Sequence, residues 1–189
     1  MICLNTVQPI RSKEKINAMK VQLKAMNYKY YMMFILGINV GLRVSDILRL
    51  RVGDVVDVEH VTIREKKTGK TKRFLLNKKM QKEISNYVRT IGLEQDDYLI
   101  YSTRVNGNGE YVISREWAYR VLNKASKMVG LNEVGTHTMR KTFGYWHYKQ
   151  YHDIALLQEI FNHSAPSITL RYIGIRDEDK DESMKNFYL

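Results

Sequence analysis

Apolar residues recur along this chain with two different periods. After Pro9 and Ser12, the residues Ile16, Met19, Leu23 and Met26 fall at steps of three and four, which predicts an amphipathic helix opened by the serine. Tyr28–Val40 is apolar nearly all round and is followed by Gly41, a residue suited to a left-handed helix stop, so it reads as the central core helix. A short helical stretch is expected over residues 45–50. The period then becomes two. Val61 and Ile63 alternate with Thr62 and Arg64, Phe74 and Leu75 lie beyond a Thr68-Gly69 turn, and a β-hairpin over residues 59–76 is predicted. Helical spacing returns at Met80, Ile84, Tyr87, Val88 and Ile91, and again after Ser114 at Ala118, Val121, Leu122, Ala125 and Met128. Residues 97–102 read as a short extended piece, residues 106–109 (Asn-Gly-Asn-Gly) as a loop, and residues 137–161 as two helices joined near Asp153. The fold class expected is mainly α with a small antiparallel β-sheet (α+β), in one domain without internal repeat or linker.

Composition adds a direction to this picture. With 189 residues and 44% hydrophobic positions the chain can bury a core of its own, and 31 Lys and Arg against 20 Asp and Glu leave a formal charge of +11. That surplus favours a polyanionic partner, nucleic acid ahead of anionic membrane. Residues 64–82 hold nine bases against Glu65 alone, so the hairpin reads as a cationic finger suited to phosphate. Residues 176–189 carry five acids and three bases and differ electrically from the body. The single cysteine, Cys3, forms no internal disulfide and is read as inert. The first residues place their charges after their few apolar positions, the reverse of a secretory signal. The longest apolar stretch, residues 30–40, contains Asn39 and is shorter than the roughly 20 residues that cross a bilayer. The expectation is a cytoplasmic protein, nucleoid-associated when on DNA, with no membrane role.

Four separated fragments carry candidate chemistry: Gly41-Leu42-Arg43-Val44-Ser45-Asp46, the Lys66-Lys67-Thr68-Gly69-Lys70 turn, His137-Thr138-Met139-Arg140, and His163 followed nine residues later by Tyr172. In order, spacing and secondary-structure setting they resemble the catalytic domain of the tyrosine recombinase, or phage integrase, family. The resemblance runs over residues 28–175. It implies a tyrosine recombinase catalytic-domain fold and an enzyme that cleaves and rejoins DNA at specific sites through a 3′-phosphotyrosine intermediate.

The chemistry explains such a set. Attack on a phosphodiester builds negative charge on the non-bridging oxygens, and two preorganised guanidiniums, Arg43 and Arg140, suit that charge bidentately. A tyrosine is mostly neutral at pH 7, so the nucleophile implied at Tyr172 needs a proton acceptor and nearby cations. The resemblance assigns His137 to acid/base assistance and His163 to a hydrogen bond on the phosphate. The leaving 5′ oxygen needs a proton, and Lys67 in the turn is the expected donor, with Lys66 and Lys70 close enough in register to compete. Arg64, Lys66, Lys70, Lys72 and Arg73 are expected to contact the DNA backbone. The family uses no metal, and no cofactor is expected.

Each fragment alone has a plainer reading. Tyr172 is one of 13 tyrosines and by itself would be a helix rim residue; Arg43 and Arg140 could serve a helix end or a buried ion pair. His147 and His152 have no carboxylate or thiol cluster with them to make a metal site, and Trp117, Trp146 and the Met-rich residues 30–35 read as core. Against the family pattern, Asp46 stands where Glu is usual, Lys141 where His is common, and Phe161-Asn162-His163 in place of Leu-Gly-His, with Asn able to adopt the left-handed backbone that glycine supplies.

The domain expectation is one catalytic domain over residues 1–189, with a core at 28–175, a tail at 176–189 that docks in trans, and no N-terminal core-binding domain. The partners expected are double-stranded DNA, further copies of the chain forming a tetramer on paired sites, and an accessory DNA-binding protein. Two other readings stay open: a non-catalytic DNA-binding regulator on the same scaffold, and a type IB topoisomerase-like enzyme.

Overall fold

In order, the elements are α1 (Lys13–Met26), α2 (Tyr28–Val40), α3 (Val44–Ile47), α4 (Val52–Val55), β1 (His60–Arg64), β2 (Thr71–Leu75), α5 (Lys78–Ile91), α6 (Arg115–Met128), α7 (Thr136–Tyr151), α8 (Ile154–Phe161) and α9 (Pro166–Ile173). They are seen in a computed structural model that describes residues 7–67, 69–105, 109–175, 185 and 188. Cys3, Thr68, residues 106–108 of the expected loop and the 176–189 tail apart from Lys185 and Tyr188 lie outside the described residues. Helix starts follow from short polar side chains that take up free backbone N–H groups. Ser12 Oγ accepts from Lys15 N at 3.1 Å, Asn27 Oδ1 from Lys29 N at 3.1 Å, Asn77 Oδ1 from Met80 N at 2.9 Å and Ser114 Oγ from Trp117 N at 3.1 Å.

α2 is the centre of the main core. Met32, Met33, Phe34 and Leu36 have no exposed surface, and α1 and α7 lie against the helix. At Gly37 a Cβ would fall 2.6 Å from Met139 Cβ, so the α2 and α7 backbones approach as closely as a side-chain-free position allows. Met19 and Leu23 of α1 are equally buried, so the apolar stripe of the first helix joins the same core. A second, smaller cluster of Leu157, Phe161 and Ile173 sits where α7, α8 and α9 meet. There a Cβ on Gly144 of α7 would meet Ile173 Cγ2 at 2.5 Å and Phe161 Cζ at 2.7 Å.

The two strands pair antiparallel with Val61 opposite Phe74 and Ile63 opposite Lys72. The strands alternate, so Val61, Ile63, Lys72 and Phe74 turn toward the body and Thr62, Thr71, Arg73 and Leu75 toward solvent. Residues 97–102 form isolated bridges in place of a strand, Arg51 with Tyr98 and Tyr101 with Val112. α4, too short to show a period, was not predicted. Trp117 is corrected from core to surface: at 44% exposure it lies in the first turn of α6, off the Ala118, Val121 and Leu122 face, and its indole N–H donates to Tyr30 Oη at 2.9 Å.

The segment at residues 7–11 straps the back of the site helices. Ile10 N donates to Thr142 Oγ1 at 2.9 Å, Trp146 Nε1 to Ile10 O at 2.9 Å, Lys141 Nζ to Val7 O at 2.8 Å and Arg11 Nη2 to Gly174 O at 2.5 Å. Among the described residues no helix is long and apolar enough to cross a membrane.

Candidate active site

Arg43 owes its position to the glycine two residues before it. Gly41 ends α2 at φ 65°, and a Cβ there would fall 2.4 Å from Phe143 Cδ1, so both backbone and space require glycine. Arg43 then caps α3, with Nη1 2.6 Å from Glu65 Oε1; the carboxylate is 4% exposed and the arginine side chain 17%. Asp46, one turn on and buried, accepts from Lys66 N at 3.0 Å through Oδ1, which pins the hairpin to the Arg43 loop.

Arg140 projects from α7 and is 3% exposed. Its Nη1 donates to Gly41 O, its Nη2 to Phe161 O at 3.2 Å, and the guanidinium lies 4.5 Å from the centre of the Phe161 ring. The short loop at residues 41–43 thus carries one guanidinium, Arg43, and anchors the other through the Gly41 carbonyl. His137, three residues before Arg140, shares its face of α7. Arg43, Lys66, Lys67, His137 and Arg140 line one open cleft of about 570 Å³. Lys67 is exposed at its edge.

Behind His137 stands Tyr172. Its hydroxyl is 3.2 Å from His137 Nδ1, and its ring lies 5.1 Å from that of His163 and 5.4 Å from that of Phe161. Burial raises the Tyr172 phenol above its ordinary value, while Arg140, Arg43 and a hydrogen bond from Arg140 pull it back. Burial, with Arg140, Lys141, Arg43 and Lys67 adding repulsion, lowers the His137 imidazole. His163 is lowered by burial and then by Arg140 and Arg43. Both rings are therefore neutral at pH 7 and able to accept or donate at one nitrogen each. His163 Nδ1 is 3.0 Å from Thr169 Oγ1, which turns its Nε2 away from that contact.

Asn162 ends α8 at φ 55°, ψ 49°, the left-handed conformation expected of it. Of the residues expected to meet DNA, Arg64 donates from Nε to Gly69 O at 3.0 Å and shapes the turn, Arg73 is exposed on the outer face, and Lys70 Nζ bonds Asn162 Oδ1 at 3.0 Å. Lys72 differs. Its ammonium is turned inward onto Ile160 O at 2.6 Å, and burial with Arg140 and Arg43 lowers its pKa to about 8 against the opposing pull of Glu65 and Asp46. Sequence reasoning missed Glu65 as the carboxylate that holds Arg43; the sign available was that it is the lone acid in the basic run.

The phage integrase family profile matches residues 11–179. The chain is 48% identical over 176 residues to YoeC, a probable integrase/recombinase of Bacillus subtilis strain 168, covering 93% of each. It is 27% identical over 166 residues to a tyrosine recombinase of Pseudothermotoga lettingae, covering 87% of this chain and 56% of that one. Its fold superposes on crystal structures of XerA recombinase, with a TM-score of 0.75 and 18% identity over 96% of this chain and 67% of that one, and of a lambda integrase tetramer bound to a Holliday junction, with a TM-score of 0.67 and 16% identity over 88% and 48%. The profile, the relatives and the fold agree with the clustered residues, and the chain belongs to the phage integrase family of tyrosine recombinases.

Proposed function

We propose that this protein is a site-specific DNA recombinase that cuts and rejoins strands through Tyr172. The observation that carries the reading is the Tyr172 hydroxyl at 3.2 Å from His137 Nδ1, a neutral imidazole on the same helix face as the buried Arg140. A phenol needs a proton acceptor at that range to become a nucleophile near neutral pH.

In the step proposed, a phosphodiester enters the cleft between Arg43 and Arg140. Arg140 spends two donors on carbonyls and keeps others for a non-bridging oxygen. Tyr172 Oη attacks phosphorus and passes its proton to His137 Nδ1. The bond from phosphorus to the 5′ oxygen breaks, and Lys67 Nζ supplies the proton that makes a 5′ hydroxyl. His163, its Nδ1 3.0 Å from Thr169 Oγ1, donates to the phosphate from Nε2 in the tautomer that carries its proton there. The product is a 3′-phosphotyrosine, and attack by a new 5′ hydroxyl reverses each transfer and rejoins the strand. The exposed bases at the hairpin tip supply sequence-independent grip on the backbone, with copies of the chain assembling as a tetramer on paired sites, an assembly supported by the lambda integrase tetramer bound to a Holliday junction.

The test is covalent trapping. Wild-type protein and Y172F are incubated with nicked DNA carrying candidate sites, denatured, and run for a protein–DNA adduct. An adduct made by the wild type and lost in Y172F supports the reading; DNA binding at a verified site with no adduct in either overturns it in favour of a non-catalytic DNA-binding regulator.

A further inference from the structure

The β2 position of Lys72 is one that the strand pattern reserves for an apolar side chain. It faces inward opposite Ile63, on the same side of the strand as Phe74. Burying an ammonium at such a position is unfavourable unless its hydrogen bonds are met. Lys72 meets one on Ile160 O at 2.6 Å, among the last carbonyls of α8, where a helix end leaves acceptors unused and favours positive charge.

The contact belongs to a set. Ile160, Phe161 and Asn162 are consecutive, and each is held by a different cation: Ile160 O by Lys72, Phe161 O by Arg140 at 3.2 Å, and Asn162 Oδ1 by Lys70 at 3.0 Å. The next residue is His163, whose backbone N–H closes the left-handed reversal on Gln158 O at 3.0 Å. The turn that aims His163 is therefore fastened from two sides, by the hairpin and by α7. Lys70 is exposed at its contact and open to exchange with a phosphate, whereas Lys72 is half-buried with its ammonium turned inward.

Resting on the recombinase reading above, we propose that Lys72 is a positioning residue: a tether from the inner face of the hairpin to the end of α8 that sets where His163 stands, and not a phosphate contact. Movement of the hairpin on DNA is then passed to His163 through the α8 end.

The experiment compares full-length wild type, K72M and K72R by two readouts. The first is the His163 ring resonances in the DNA-free protein, with His152 as an internal reference. In K72M they shift and broaden while His152 stays, and in K72R they return. The second is single-turnover adduct formation at saturating nicked DNA beside a separate affinity measurement. K72M slows the step by about ten- to a hundredfold, the range a small misplacement produces, with affinity unchanged. Folded K72M with His163 unmoved overturns the proposal. So does K72M with an unchanged saturated rate, weaker binding and a salt slope reduced by about one, the signature of a lost phosphate contact. Should K72M not fold, the wild type decides. Lys72 faces Arg140, Arg43, Glu65 and Asp46, and its deprotonation, followed by its own Cε resonance, moves the His163 resonances over the same pH range; His163 unmoved while Lys72 titrates overturns the tether. A His163 response with no adduct from any protein, wild type included, leaves the tether standing and overturns the recombinase reading instead.

Discussion

Replacing Glu65 by glutamine keeps the shape of the side chain and removes the charge that Arg43 faces at 2.6 Å. Breaking one side of a buried ion pair costs about 3–5 kcal/mol, because the remaining charge stays desolvated and alone. Here the carboxylate is 4% exposed but the Arg43 side chain 17%, so water reaches part of the guanidinium and the lower end of that range applies. Arg140 and Lys72 also lie within the field of Glu65, and removing it adds repulsion among three cations. The expected loss is about 3 kcal/mol, which for a domain of this size lowers Tm by roughly 6–12 °C. Thermal unfolding of E65Q and wild type in low-salt buffer measures it. Inorganic phosphate at millimolar levels should recover part of the loss in E65Q, since an anion in the cleft takes over the neutralisation. A drop under about 1 kcal/mol, the scale of an exposed pair, would refute the argument that this carboxylate holds the arginine.

Further outcomes follow from the same geometry. Gly144→Ala drives a Cβ into Ile173 and Phe161, and should cost about 1–3 kcal/mol in thermal unfolding while slowing adduct formation by displacing α9 from α7. His137 and His163 are depressed by burial and by cations, so the unfolded chain binds more protons; stability is fully present above the ordinary histidine range and falls as pH drops through the lowered values, which urea titrations at pH 7 and pH 5 would read. Adduct formation should decline over the same acid range as His137 gains the proton that blocks its acceptance from Tyr172, and a rate that is flat down to pH 5 would count against His137 as the acceptor. Arg73→Ala removes an exposed outer-face charge and should weaken DNA binding uniformly across sequences, with the salt slope reduced by about one in binding titrations.

Helices and hairpin were legible because their signals are local. Ser12, Asn77 and Ser114 cap where the pattern begins, and Gly41 stops α2 at the residue expected. The site fragments could be collected from spacing and resemblance, and the fold brings Arg43, Lys67, His137 and Arg140 to one cleft with Tyr172 and His163 behind it. What could not be read depends on pairings distant in sequence. Nothing local tells Lys72 from Arg73 in a basic run; only the strand register, with Ile63 opposite, turns one inward and the other out. Glu65 pairs with Arg43 across 22 positions, a partnership created by the hairpin docking beside α3. Trp117 looked like core because its size is, and it sits on the surface because of its angle on α6.

The strap at residues 7–11 gives the site a mechanical connection. Its bonds run to Lys141, Thr142 and Trp146 on α7 and to Gly174, two residues past Tyr172, so the two helices bearing His137, Arg140 and Tyr172 share one fastening. Tension applied to the chain ahead of residue 7 is delivered through these bonds to the spacing between α7 and α9, and with it to the separation of the Tyr172 hydroxyl from His137. The beginning of the described chain thus acts as a lever on the tyrosine proposed as nucleophile.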